Sequence, residues 1–126
     1  MALGEQDIEQ LGCAALSADD MSQRAAEAAA FLKALSHEGR LMILCHLSSG
    51  EKSVTELEEL LGARQAAVSQ QLARLRSDGL VTARRDGKAI FYSIRDPKAA
   101  ALMDLVYDMF CGPNAQPSLS AQFTAL

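Results

Sequence analysis

Three thiols and two imidazoles are the side chains of this 126-residue chain best suited to chemistry, and their spacing limits what that chemistry is. Cys13, Cys45 and Cys111 are odd in number and far apart, which does not make the disulfide framework of a small secreted domain. They suit a reducing compartment, where a thiol is either a small buried hydrophobe or a reactive group. There is no Cys-x-x-Cys pair. Cys45 and Cys111 both fall near expected helix C-termini, where the dipole opposes a thiolate, so a thiol oxidoreductase has little support. His37 and His46 stand about two and a half helical turns apart, too far for one mononuclear metal site. His37 reads as a first-turn helix residue and His46 as a partly exposed one. No nucleophile–base motif, glycine-rich phosphate loop or paired acids in a plausible cleft occurs, so neither catalysis nor a cofactor is expected.

A second set of polar residues points to recognition. Gln65, Ser69, Gln70, Gln71 and Arg74 share one side of an expected helix, Gln65 to Ser77, whose Val68, Leu72 and Leu75 face inward. That outer side is short of acids and rich in groups that hydrogen-bond base edges. Before it, Ser53-Val54-Thr55-Glu56 forms a capping box, with Val54, Leu57, Leu60 and Leu61 at helical spacing and Gly62 as the stop. After it, Asp78-Gly79 ends the helix. Leu80–Arg85 and Lys88–Ile94 then alternate as two strands around Asp86-Gly87, bearing Arg84, Arg85 and Lys88. Two short helices, a tight turn and a cationic hairpin make a DNA-reading module, a winged helix-turn-helix. A helical interaction module without DNA contact would leave the basic wing without purpose.

Charge supports this reading by its distribution. The chain carries −4 overall, yet residues 61–98 hold eight basic and three acidic side chains, a balance of +5, and the remainder is −9. Positive charge lies where phosphate contact is inferred. One domain is expected from the length. No apolar run is long enough to span a membrane, and Met1–Asp7 carries acids where a signal peptide needs positive charge, so a cytoplasmic address is expected.

The remaining elements make the fold class mainly α with a small β-hairpin. An Ala-rich helix is expected from Asp20 to Leu35, with Ala25, Ala28, Ala29 and Leu32 as a small-residue stripe. Ser36 is expected to cap a helix from His37 to Leu47, which buries Leu41, Ile43, Leu44 and Leu47. Asp96-Pro97 starts a last helix with proline in its first turn, its apolar side made by Leu102, Leu105, Val106, Met109 and Phe110. Gly112-Pro113 stops it. The expected organisation is a leader over 1–18, whose Ile8, Leu11 and Leu16 could pack on a partner, a DNA-binding and dimerisation domain over 19–112, and a tail over 113–126. The first and last helices are left to be covered by a second copy, as a homodimer presenting two recognition helices to half-sites one helical turn apart.

Over Ala26 to Cys111 the chain resembles the ArsR-type winged-helix repressors. The resemblance is carried by Leu35-Ser36-His37-Glu38-Gly39-Arg40-Leu41, Val54-Thr55-Glu56-Leu57, Gln65-Ala66-Ala67-Val68-Ser69-Gln70-Gln71-Leu72, Leu75-Arg76-Ser77-Asp78-Gly79-Leu80-Val81, Gly87-Lys88 and Phe91-Tyr92. It implies a homodimer that represses genes by binding an inverted repeat and lets go when an inducer acts. Arg64 departs from the family, where a Ser often caps the recognition helix. Metal-sensing members place Cys-x-Cys where this chain has Ser53 and Thr55, and a hydroxyl cannot replace a soft thiolate. Others use Asp and His pairs on the last helix, which here has Asp104 and Asp108 but no histidine. No metal site is therefore expected. In the family fold the helices bearing Cys45 and Cys111 pack together, so the resemblance to its sulfide-responsive branch implies a redox switch made of Cys45 and Cys111, acted on by persulfides or related reactive sulfur. Cys13 has no partner in that pattern and reads as an accessory thiol. A repressor responding to a soft metal or to general oxidants through the same cysteines stays open.

Overall fold

The computed structural model describes residues 12–113 and 115, so Ile8, Leu11 and nearly all of the expected tail lie outside the described residues. The chain divides into two compact units, residues 1–35 and 36–126. In the first, a 3-10 turn over Gly12–Ala15 precedes helix α1, Ala18–Leu35. The helix begins earlier than Asp20 because the Ser17 Oγ accepts the Asp20 amide at 3.2 Å, satisfying a first-turn donor. Asp19 and Asp20 then sit at its positive end. Ala25, Ala28, Ala29 and Leu32 are all exposed.

The second unit holds α2 (Glu38–Leu47), β1 (Lys52–Ser53), α3 (Val54–Leu61), α4 (Gln65–Ser77), β2 (Val81–Asp86), β3 (Ala89–Ile94) and α5 (Pro97–Phe110). Ile43, Leu44 and Leu47 of α2 meet Leu57 of α3 and Val68, Leu72 and Leu75 of α4 in a core completed by Leu80, Val81, Ala99 and Met103. Burial of each large side chain contributes about 1.5–3 kcal/mol. Ser53 and Glu56 form the expected capping box, and Gly62 ends α3 in the left-handed region at φ 61°. Arg64 stands at the N-cap of α4 without a side-chain cap bond, as its departure from the family pattern implies.

Four further details differ from the sequence reading. His37, not Ser36, caps α2: its Nδ1 accepts the Gly39 amide at 3.0 Å, an imidazole doing the work usually given to a hydroxyl or carboxylate. The hairpin loop is Gly87-Lys88, since Asp86 pairs with Ala89. Positive φ at Gly87 and at no described non-glycine residue is the pattern of a type II′ turn. A third strand, β1, pairs antiparallel with β3 through Lys52–Tyr92 and Ser53–Phe91, giving the order β1-β3-β2. Finally, α5 buries Ala99 and Met103 within the chain, while Leu105, Tyr107, Met109 and Phe110 are exposed. Of the apolar side read from the sequence, Leu102 and Val106 are thus half-buried and Leu105, Met109 and Phe110 are left exposed among the described residues.

Candidate functional site

The helix-turn-helix presents α4 with three of its five expected readers ready for contact. Gln65, Ser69 and Gln70 are exposed, with no side-chain hydrogen bond to another described residue. Arg74 is exposed but donates to Asp78 at 2.8 Å, an i,i+4 pair on the last turn. Gln71 is half-buried, and its Oε1 accepts from Arg40 of α2 at 3.3 Å.

The wing divides its three cations. Arg84 reaches across to Glu51, donating from Nε at 2.7 Å and from an Nη at 2.6 Å, a bidentate fork. Its guanidinium lies 4.7 Å from the centroid of Phe91, its cross-strand neighbour, and Asp86 stands 3.9 Å away. These hydrogen bonds and the adjacent positive charge hold the Glu51 carboxyl below its ordinary pKa. Arg84 therefore ties the wing to the segment before β1. Arg85 and Lys88 are exposed and form no ion pair among the described residues. Glu51 could not be anticipated, because 33 residues separate it from Arg84 and neither position carries a pattern linking them.

Two thiols lie at the C-terminal ends of α2 and α5. Cys45, in the last turn of α2, and Cys111, the C-cap of α5, are free and exposed. The Cys45 Sγ nonetheless rests 3.9 Å from the Met103 Sδ, and Met103 is buried. Burial pushes the Cys45 thiol above its ordinary pKa, and the negative charge of Cys111 adds to the rise. The residue is open to solvent while its sulfur is partly shielded. The local shielding governs its acidity. A groove of about 490 Å³, lined by Ser36, His37, Glu38, Leu41, Met42, Cys45 and His46, gives access to it. His46 is half-exposed, as expected. Cys13 falls in the turn before α1, and its side chain lies outside the described residues. Among the described residues no helix is long and apolar enough to cross a membrane.

Comparison with known proteins matches this architecture. Residues 37–83 match the family model described as bacterial regulatory protein, arsR family. The biofilm growth-associated repressor of Agrobacterium fabrum is 50% identical over 94 residues, 75% of this chain and 80% of the relative. The crystal structure of the transcriptional repressor BigR from Xylella fastidiosa is similar with a TM-score of 0.70 at 48% identity, covering 76% of this chain and 98% of that one. The structure of reduced HlyU from Vibrio cholerae has a TM-score of 0.71 at 40% identity, over 73% of this chain and 97% of that one. With the capping box, recognition helix and wing all in place, the chain belongs to the ArsR family of bacterial transcriptional regulators.

Proposed function

We propose that the protein is a repressor that binds an inverted-repeat operator as a homodimer and releases it when Cys45 and Cys111 are joined by reactive sulfur. Regulators of this family bind DNA and work as dimers. In this reading Gln65, Ser69 and Gln70 enter the major groove, and Arg85 and Lys88 hold flanking phosphates. Arg74 joins them by exchanging Asp78 for DNA. The exposed faces of α1 and α5 are the surfaces a second copy covers. That one of the similar structures is of HlyU in a reduced form fits a thiol-controlled regulator.

The observation that carries the switch is the contact of the Cys45 Sγ with the Met103 Sδ at 3.9 Å, which sets the thiol against the helix that Cys111 caps. A cysteine thiolate attacks the outer sulfur of a low-molecular-weight persulfide, RSSH, takes that sulfur and expels RS⁻. The second thiolate attacks the inner sulfur of the resulting protein persulfide, forming the S–S bond and expelling HS⁻. One persulfide and two thiols thus give RSH, H₂S and a disulfide, with no other oxidant. A further RSSH gives up its outer sulfur to the bridge as its own S–S bond breaks, leaving as RSH and converting the disulfide to a trisulfide. A direct disulfide needs Cα atoms within about 7 Å, and each inserted sulfur lengthens the reach, so a wider pair favours persulfides over peroxide. Tying α2 to α5 shifts the dimer and moves the recognition helices off their half-site spacing, and a few kcal/mol of coupling suffices.

The test is DNA affinity of Cys45→Ser, Cys111→Ser and Cys13→Ser before and after persulfide. The first two should bind normally and stay bound, and the third should respond like the parent. Release by either of the first two ends the two-cysteine reading.

A further inference from the structure

We infer that Gln71 is a positioning residue rather than a base reader: with Arg40 it forms the link through which α2 sets the pose of the recognition helix. Its place on the outer side of α4 suggests base contact, but its surroundings differ from those of its neighbours. Gln65, Ser69 and Gln70 are exposed, whereas Gln71 is half-buried with its amide oxygen accepting from the Arg40 guanidinium at 3.3 Å. A glutamine that reads adenine uses both its oxygen and its nitrogen, in a bidentate contact with one base edge. Here the oxygen is already engaged by Arg40 of α2. Turning it to DNA would cost a hydrogen bond to a charged donor.

The backbone supports the same role. A Cβ built at Gly39 would stand 3.8 Å from the Gln71 Cγ and 3.2 Å from the His37 ring, so the first turn of α2 passes close to this side chain. At the far end of the same ten-residue helix, Cys45 meets Met103 of α5. Ile43 and Leu44 between them, and Leu47 just beyond Cys45, are buried in the close-packed core, which favours movement of α2 as one body. A shift imposed at Cys45 therefore reaches Gln71 through Arg40, five residues away along the helix. The source of that shift rests on the Cys45–Cys111 reading above; the role of Gln71 in the reduced protein does not.

The experiment uses the full chain with Gln71→Ala, Gln71→Met, Arg40→Ala and the Arg40→Ala/Gln71→Ala double variant. The methionine form keeps the volume and loses the oxygen, so it answers if the alanine form folds poorly. The probe is an operator duplex selected from a random pool, with a panel in which each base pair is changed in turn. Loss of the link should weaken binding about tenfold on every duplex alike, with base preference unchanged and the double variant no weaker than the singles. A loss of about fivefold or more confined to one base pair would make Gln71 a base reader and overturn the proposal. So would unchanged affinity, or additive effects of the two substitutions. In the persulfide-bridged protein, confirmed by intact mass, Gln71→Met should shrink the ratio of reduced to bridged affinity about tenfold. An undiminished ratio overturns the link as the route of coupling. If the bridged parent keeps its full affinity, the thiol switch fails instead, and the base panel still decides the role of Gln71.

Discussion

The Cys45 thiol lies 3.9 Å from the Met103 thioether, where an exposed residue of α2 touches a buried one of α5. The contact places the thiol at the seam between the helix that packs beside α4 and the helix that Cys111 caps. It also gives the Cys45 sulfur a partly shielded environment.

That environment sets a pH dependence. The thiolate is the attacking form, and burial followed by the charge of Cys111 raises the Cys45 pKa, so less thiolate is present at neutral pH than for a free cysteine. The alkylation rate of Cys45 should climb with a midpoint above the ordinary thiol value of about 8.5. Cys111→Ser should lower that midpoint by removing the second cause. Because the folded pKa is the higher one, this group's contribution to stability is fully present below the unfolded pKa and is lost as pH rises through the folded one. Site-resolved mass spectrometry across pH gives both midpoints; one at or below the ordinary value contradicts the prediction.

Met103 should control the shielding. Met103→Leu conserves volume and should cost less than about 1.5 kcal/mol, leaving the Cys45 midpoint high. Met103→Ala opens a cavity, costs about 2–5 kcal/mol, and should bring the midpoint down as water reaches the sulfur. Denaturant unfolding and alkylation rates together check the pair. Equal midpoints in the two variants would show that burial at Met103 is not the cause.

The wing cations should separate by salt dependence. Arg85→Ala and Lys88→Ala should each reduce the slope of log affinity against log salt by about 1, since each frees one phosphate contact. Arg84→Ala should change the slope less, because its charge is already met by Glu51 and Asp86. Fluorescence anisotropy over a salt series reads the three slopes. A full unit lost with Arg84→Ala would make it a third phosphate contact.

The cap on α2 should show in thermal melting. His37→Ala removes the acceptor for the Gly39 amide and should cost about 1 kcal/mol, while His37→Asn, a strong N-cap former, should retain most of the stability. Gly39→Ala adds a Cβ 3.2 Å from the His37 ring, so the capping ring must give by a few tenths of an ångström. Equal melting temperatures for His37→Ala and His37→Asn would show that the cap carries no stability.

Local patterns made most of the DNA-reading architecture legible before any coordinates. The capping box at Ser53 and Glu56, Gly62 as a stop, the inward row Val68, Leu72 and Leu75, and the two strands around Gly87 each depend on residues within a few positions of one another. Such short-range rules are written in the chain itself. His37 replacing Ser36 as cap and the one-residue shift of the hairpin loop are errors of the same short range, where two neighbours compete for one role and geometry chooses. What the sequence could not supply are pairings between distant residues: Glu51 with Arg84, Arg40 with Gln71, Cys45 with Met103. Nothing in the spacing of these residues marks them as partners. They meet because burial of Ile43, Leu44, Leu57, Leu72 and Leu75 in one core fixes where the helix surfaces face. Residue type alone made Gln71 and Arg84 equal candidates for DNA with Gln70 and Arg85. Only tertiary packing, by giving the first two a protein partner and leaving the others none among the described residues, set them apart.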